Sequence, residues 1–175
     1  MEVNRINDRF EFRNIREEES EQAAEIETVC FPPHEACTRE MMFRRIAKAP
    51  EQFLVAVDKQ TGRLAGFLTG LCTDEEVFRD EFFMDEKLHN PNGKNVMLLG
   101  LNVLPKYRMQ GLARELVRRY LRRERERGRR MLRLTCHDSK VKMYQKMGFC
   151  DAGISNSTWG NEQWHEMYCA IDGQE

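Results

Sequence analysis

The sequence predicts an α/β (α+β) fold in one domain, and three observations carry that prediction. Strand-like and helix-like patterns alternate along the chain. Two apolar, β-branched or aromatic runs, Phe53 to Asp58 and Leu64 to Cys72, are joined by Lys59 to Arg63 with Gly62 in the turn, the pattern of an antiparallel hairpin. Val96 to Val103 is a nearly continuous apolar run broken by Gly100, as suits a central strand with a local irregularity. A chain of 175 residues suffices for one domain that buries roughly two-thirds of its unfolded surface. No repeat, low-complexity tract or linker suggests a second.

The remaining elements follow from local pattern. Phe10 to Ile15 alternates apolar with charged residues as a half-buried strand does, and Ser20 with Glu and Gln beyond it marks a helix start. Thr38 to Lys48 presents Met41, Met42, Phe43 and Ile46 before the stop at Pro50, so a second helix is expected, with Pro32 and Pro33 in the loop between. Asp74 to His89 carries Val77, Phe78, Phe82 and Phe83 at helical spacing and reads as a helical excursion ended by Asn90 to Gly93. Leu112 to about Arg127 places Leu112, Leu116, Val117, Tyr120 and Leu121 on one stripe, with Gly128 as the cap. Met131 to Cys136 is a strand, Ser139 to Met147 a short helix closed by Gly148, and Cys150 to Ser155 with Gln163 to Ile171 the final strand pair.

Composition narrows the function. With 41% apolar and 33% charged residues the chain has material for a core and a solvated exterior. No run approaches the roughly 20 apolar residues of a membrane span, and Met1 to Arg16 is charged where a secretion signal is apolar, so a cytoplasmic protein with no membrane partner is expected. The six cysteines show neither paired spacing nor histidine neighbours at zinc-ligand distances, so they read as reduced thiols and no metal is expected. Ten arginines between Arg114 and Arg133 invite a nucleic-acid reading, but the net charge is −1 and no aromatic platform accompanies them. No nucleic-acid partner is expected.

The chemistry concentrates where the strand Leu98 to Val103, a turn at Leu104 to Tyr107 and the run Arg108-Met109-Gln110-Gly111-Leu112-Ala113 lead into a long amphipathic helix. The first N–H groups of a helix lack internal acceptors, the helix dipole adds positive potential there, and Gly or Ala lets an anion reach the backbone. A pyrophosphate suits such a cradle.

Arg-x-x-Gly-x-Ala at residues 108 to 113 resembles the acyl-CoA signature of the GNAT superfamily, and Met143-Tyr144-Gln145-Lys146-Met147-Gly148-Phe149 resembles the family's helix and turn ending in Gly-Phe. The nearest branch is similar to the serotonin (arylalkylamine) N-acetyltransferases, through Phe10 to Arg13, Glu25-Ile26-Glu27, Asp74-Glu75-Glu76 and Cys136 to Gly148. The resemblance implies a GNAT-like acyl-CoA N-acyltransferase fold: a mixed, mostly antiparallel sheet of six or seven strands, helices on both faces, splayed beside the signature strand. It implies acetyl-CoA as co-substrate and a primary amine as acceptor, with homodimerisation left open.

The resemblance also assigns roles. The backbone of Leu101, Asn102 and Val103 would pair with pantetheine, and Leu101 N–H would polarise the thioester carbonyl. Arg108, Met109, Gln110, Gly111, Leu112, Ala113 and Arg114 would hold the pyrophosphate, while Thr135, Cys136 and His137 would flank the same cleft. Tyr144 would protonate the departing thiolate, although a packing role for it is the plainer alternative. The family branch relays the amine proton through two histidines, and the matching positions here are Met97 and Leu99, which accept no proton. Water, Glu27, His34, His137 or His165 would then carry it. Met41 to Phe43 and the Pro32-Pro33 loop would border the acceptor site. A protein or peptide N-acetyltransferase and a non-catalytic acyl-CoA-binding protein remain the alternatives to a small-molecule enzyme.

Overall fold

The computed structural model describes residues 2–172. The chain opens with α1 (Glu2–Arg9), then runs β1 (Phe10–Asn14), α2 (Ser20–Cys30), α3 (Arg39–Lys48), β2 (Phe53–Asp58), β3 (Leu64–Thr73), α4 (Glu81–Met84) and β4 (Asn95–Val103). It continues through α5 (Leu112–Glu126), β5 (Met131–Cys136), α6 (Val141–Lys146), β6 (Cys150–Ile154) and β7 (His165–Ala170). The strands form one seven-stranded sheet in the order β1-β2-β3-β4-β5-β7-β6. Pairing is antiparallel for β1 with β2, β2 with β3, and β7 with both β5 and β6, and parallel for β4 with β5, the mixed and mostly antiparallel sheet expected. Among the described residues no helix is long and apolar enough to cross a membrane.

Two compact units divide the chain. The first comprises Met1–Thr69 with Gly100–Val117. Its apolar core gathers Ile15, Ala23, Ile26, Met42, Ile46, Phe53, Val55 and Phe67, so the buried faces of α2 and α3 meet those of β2 and β3. Thr38 caps α3 by accepting the Met41 N–H at 3.1 Å. Arg13 grips the buried Glu19 with both arms, at 2.8 and 2.7 Å, and Glu19 also accepts the Arg16 N–H at 2.9 Å, which fixes the entry into α2. The hairpin turn closes at Gly62, whose φ of 71° suits a residue without a Cβ.

The second unit comprises Gly70–Leu99 with Arg118–Glu175. Val96, Met97, Tyr120, Leu132 and Met167 are fully buried there. The parallel ladder covers Asn95 to Met97 opposite Met131 to Arg133 and stops, whereas β5 stays paired with β7 as far as Cys136. That early end of the ladder is the local form of the splay expected beside the signature strand. At the end of α5 the wholly buried Glu124 takes Arg127 at 3.0 Å and Arg129 at 3.1 Å, and Arg129 also donates to the Pro91 carbonyl. Arg133 pairs with the buried Glu166. Part of the arginine excess is thereby internal and structural.

Two expectations are corrected. Asp74 to His89 is not a continuous helix: the segment holds only the short α4 and a 3-10 turn at Glu86–Leu88. Side chains capture the backbone that a helix would use, since Thr73 Oγ1 accepts the Glu75 N–H at 3.0 Å and Asn95 donates to the Glu75 carbonyl at 2.9 Å. The phenylalanines cluster instead, with Phe78 5.1 Å from Phe83 and Phe83 4.7 Å from Trp159, while Val77 is exposed. The second correction is α1, a helix in a stretch read only for its charge.

Close strand approach sets the position of the signature strand. A Cβ at Gly66 would lie 2.4 Å from the Asn102 carbonyl oxygen and 3.2 Å from the Val103 Cα. Gly66→Ala therefore has to displace backbone, and a loss of about 1–3 kcal/mol is expected as a lower denaturant midpoint. An unchanged midpoint would show that the end of β4 yields freely.

Candidate acyl-CoA site

The first unit builds the loop after β4 from the inside out. Tyr107 donates its hydroxyl to Asp58 Oδ2 at 2.6 Å and packs edge-on against Phe10 at 5.6 Å, anchoring the turn to the sheet. That bond, with the Gln60 N–H and neighbouring Lys106 and Arg9, holds the Asp58 carboxyl below its usual range. Arg108 then folds back: its Nε donates to the Val103 carbonyl at 2.9 Å and its Nη2 lies 3.6 Å from Cys30 Sγ. The Cys30 thiol meets the same carbonyl at 3.4 Å. The Arg108 side chain thus serves its own loop, and the Val103 carbonyl is occupied from within.

Beyond Arg108 the backbone turns twice into the left-handed region, at Met109 with φ 62° and at Gly111 with φ 81°. Met109, Gln110 and Gly111 are exposed, and the first α-helical bond of α5 is Glu115 N–H to Gly111 O at 3.0 Å. Among the described residues, no N–H group from Met109 to Arg114 makes a backbone hydrogen bond of good geometry. Left-handed residues that interrupt a chain of free amides form a concave nest for anions, and the helix dipole adds to its field. Leu112 is buried beneath, while the Arg114 side chain is exposed at the rim.

Next to the strand end, Glu27 on α2 is buried, with Oε2 accepting the Cys37 N–H at 3.0 Å. Its Oε1 is turned toward Gly100, 3.6 Å from where a Cβ there would stand. Asn102 is wholly buried on the same strand. His34, another candidate proton acceptor, is exposed and lies 3.3 Å from Glu35.

The second unit holds the other predicted residues. Met97 and Leu99 are buried. Thr135 and Cys136 end β5, and His137, next in the chain, stacks on Trp164 at 4.1 Å. His165 sits between two carboxylates, 3.1 Å from Asp138 and 3.2 Å from Asp151, so its ring is committed to structure. Tyr144 on α6 lies edge-on to Phe149 at 5.7 Å, and the helix ends at Gly148 with φ 103°. Burial, with a smaller contribution from Cys136, pushes the Tyr144 phenol far above its ordinary value, so the proton stays on oxygen. Tyr144 and Cys136 are therefore neighbours in one unit, and Leu101 to Val103 share the other with the amide nest.

The acidic stretch lines a cavity of about 560 Å³ between residues 75–81 and Asn156 and Ser157. Its acids are largely engaged: Glu75 holds Arg79 at 2.7 Å, and Asp80 accepts the Ser157 hydroxyl and the Thr158 N–H. That cavity carries less negative field than its composition suggests. Sequence reasoning missed Arg9, which donates to the Gln110 side chain from 101 positions away.

Cys136 is buried, and desolvation followed by the charges of Asp151 and Asp138 pushes its thiol up to about 12. Burial does the same to Cys37, also to about 12. At pH 8 such thiols are ionised in roughly one molecule in ten thousand, so alkylation of the folded protein is expected at the exposed Cys150 first. Peptide mapping after brief iodoacetamide treatment checks this, and early modification of Cys136 would contradict the account.

The sequence model of the acetyltransferase (GNAT) family matches residues 15–149. Serotonin N-acetyltransferase of Mesocricetus auratus is 32% identical over 114 residues, which is 64% of this chain and 53% of that protein, so the match spans about half the length of that relative. Among solved structures, the loading GNATL domain of CurA from Lyngbya majuscula superposes with a TM-score of 0.80 at 17% identity, covering 94% of this chain and 99% of that one. The GphF GNAT-like decarboxylase in complex with isobutyryl-CoA gives 0.78 at 19% identity, covering 92% and 99%. The ribosomal-protein-S18-alanine N-acetyltransferase of Escherichia coli gives 0.68 at 18% identity, covering 95% and 96%. At such identities these are likenesses of fold. With a family match that runs from the first strand's end through the Arg-x-x-Gly-x-Ala loop to Phe149, the chain belongs to the acetyltransferase (GNAT) family.

Proposed function

We propose that the chain acts as one GNAT domain and is an acetyl-CoA-dependent N-acetyltransferase whose acceptor is the primary amine of a small molecule. The observation that carries this reading is the open amide nest from Met109 to Arg114 at the start of α5. Its N–H groups bind the pyrophosphate, with the Arg114 guanidinium as a further contact, and the backbone of Leu101 to Val103 accompanies the pantetheine. The likeness to serotonin N-acetyltransferase supports an amine acceptor.

In the reaction the amine nitrogen bonds to the thioester carbon as the carbon–sulfur bond breaks. Leu101 N–H stabilises the charge that develops on the carbonyl oxygen. Tyr144, kept protonated by its surroundings, delivers its proton to the leaving sulfur. Glu27 takes the proton lost by the amine, the role that Met97 and Leu99 cannot fill. The closeness of its Oε1 to Gly100 on the strand that carries Leu101 supports that assignment. The raised phenol keeps Tyr144 in its acid form at neutral pH, so loss of activity through its ionisation is expected only on the alkaline side of its usual value of about 10.

The first test is calorimetric titration of acetyl-CoA and CoA into the wild type and into Gly111→Glu. Binding by the wild type and its loss in the variant are expected, because the added carboxylate enters the nest and repels phosphate. Folded wild type that binds neither compound would refute the reading. With binding established, release of CoA thiol is measured over small amines and peptide N-termini or lysines. Tyr144→Phe is expected to lower kcat on the order of a hundredfold; unchanged turnover would remove Tyr144 from the mechanism. The buried apolar pair at Met97 and Leu99 favours one competing reading, a non-catalytic acyl-CoA-binding protein. Tight binding with no turnover on any amine would select it, and turnover confined to peptides would select a protein N-acetyltransferase.

A further inference from the structure

The nest is an unusual conformation for its residues. Met109 holds a left-handed φ although it is not glycine, and its side chain is wholly exposed, so no packing of its own keeps it there. What holds the loop is the carboxamide of Gln110, fastened at both ends. Its Nε2 donates to the Lys106 carbonyl at 3.3 Å, and its Oε1 accepts from the Arg9 guanidinium. Ile6 adds a second contact, its Cδ1 standing 3.7 Å from where a Cβ of Gly111 would be.

Arg9 is itself fixed from the sheet. Its carbonyl accepts the Lys59 N–H at 2.9 Å, the Lys59 ammonium donates to the Asn7 carbonyl at 2.6 Å, and the Arg9 guanidinium lies 5.2 Å from the centre of the Phe10 ring. The helix α1 is thereby docked at the start of the β2–β3 turn and delivers one side chain to the loop. Residues 6 and 9 lie before the span matched by the family model, which begins at residue 15.

We propose that Arg9 is a positioning residue for acyl-CoA: through Gln110 it holds the 109–111 backbone in its anion-accepting shape before the ligand arrives. The inference rests on the reading of the nest as the pyrophosphate site. A loop already in its bound shape binds more tightly because less ordering is left to do on association.

The test is a double-mutant cycle on CoA affinity, measured by calorimetry with the full chain as wild type, Arg9→Ala, Gln110→Ala and the double variant. Each single substitution is expected to weaken binding roughly three- to fivefold, the range of an exposed charge-assisted contact. The double variant is expected to bind no more weakly than either single one, with melting temperatures unchanged. Arg9→Lys, which keeps a donor and the charge, is expected to recover part of the loss. Binding by Arg9→Ala as tight as wild type would overturn the inference and leave the cofactor site standing. Full recovery by Arg9→Lys with no effect of Gln110→Ala would also overturn it, since Arg9 would then act as a distant charge. Failure of the wild type to bind CoA would instead refute the site itself.

Discussion

The reading of this chain as an acyl-CoA enzyme turns on one set of backbone amides, Met109 to Arg114, which among the described residues make no close backbone bond to their own protein. Unpaired N–H groups are costly when buried and ordinary when wet, so the loop stays at the surface and every support it has comes from below or from the side. Tyr107 on Asp58 anchors the approach, Arg108 on the Val103 carbonyl ties the loop to the strand that precedes it, and Gln110 bridges two partners at its crest. These supports spend side chains so that main-chain donors remain available.

Much of the architecture was legible in sequence because the strands obey simple periodicities. β2, β3 and β5 have bounds close to those of their apolar runs, and α5 follows its stripe. The Asp74 to His89 segment misled because its phenylalanines sit at helical spacing while Thr73 and Asn95 hold its backbone in other bonds. α1 left little signal, being short and mostly polar with only Val3 and Ile6 apolar, and its support comes from Lys59 on a remote turn. Local pattern carries no trace of contacts formed across such distances in sequence.

The candidate site is a matter of motif and of side-chain direction. Arg-x-x-Gly-x-Ala located the nest, and Gly111 has the positive φ that a motif glycine implies. What the motif leaves unsaid is the direction of side chains. Arg108 turns inward, the buried Glu27 turns an oxygen toward Gly100, and His165 is bound between two aspartates. The arginine-rich stretch shows the same principle, since Arg127 and Arg129 are drawn to the buried Glu124 and Arg133 to Glu166. Charge counted along a chain is a poor measure of charge presented to a partner.

The docking of α1 beside Gln110 and Gly111 has a practical side. Any polypeptide joined ahead of this helix is separated by little more than one helical turn, about 6 Å along the axis, from Ile6 beside Gly111. A polyhistidine or acidic tag at that end would bring its own ions and charges near the proposed phosphate site, and affinities measured on such a fusion would describe the fusion. Material carrying its tag at the other terminus, or none, keeps the helix and its arginine as the protein presents them.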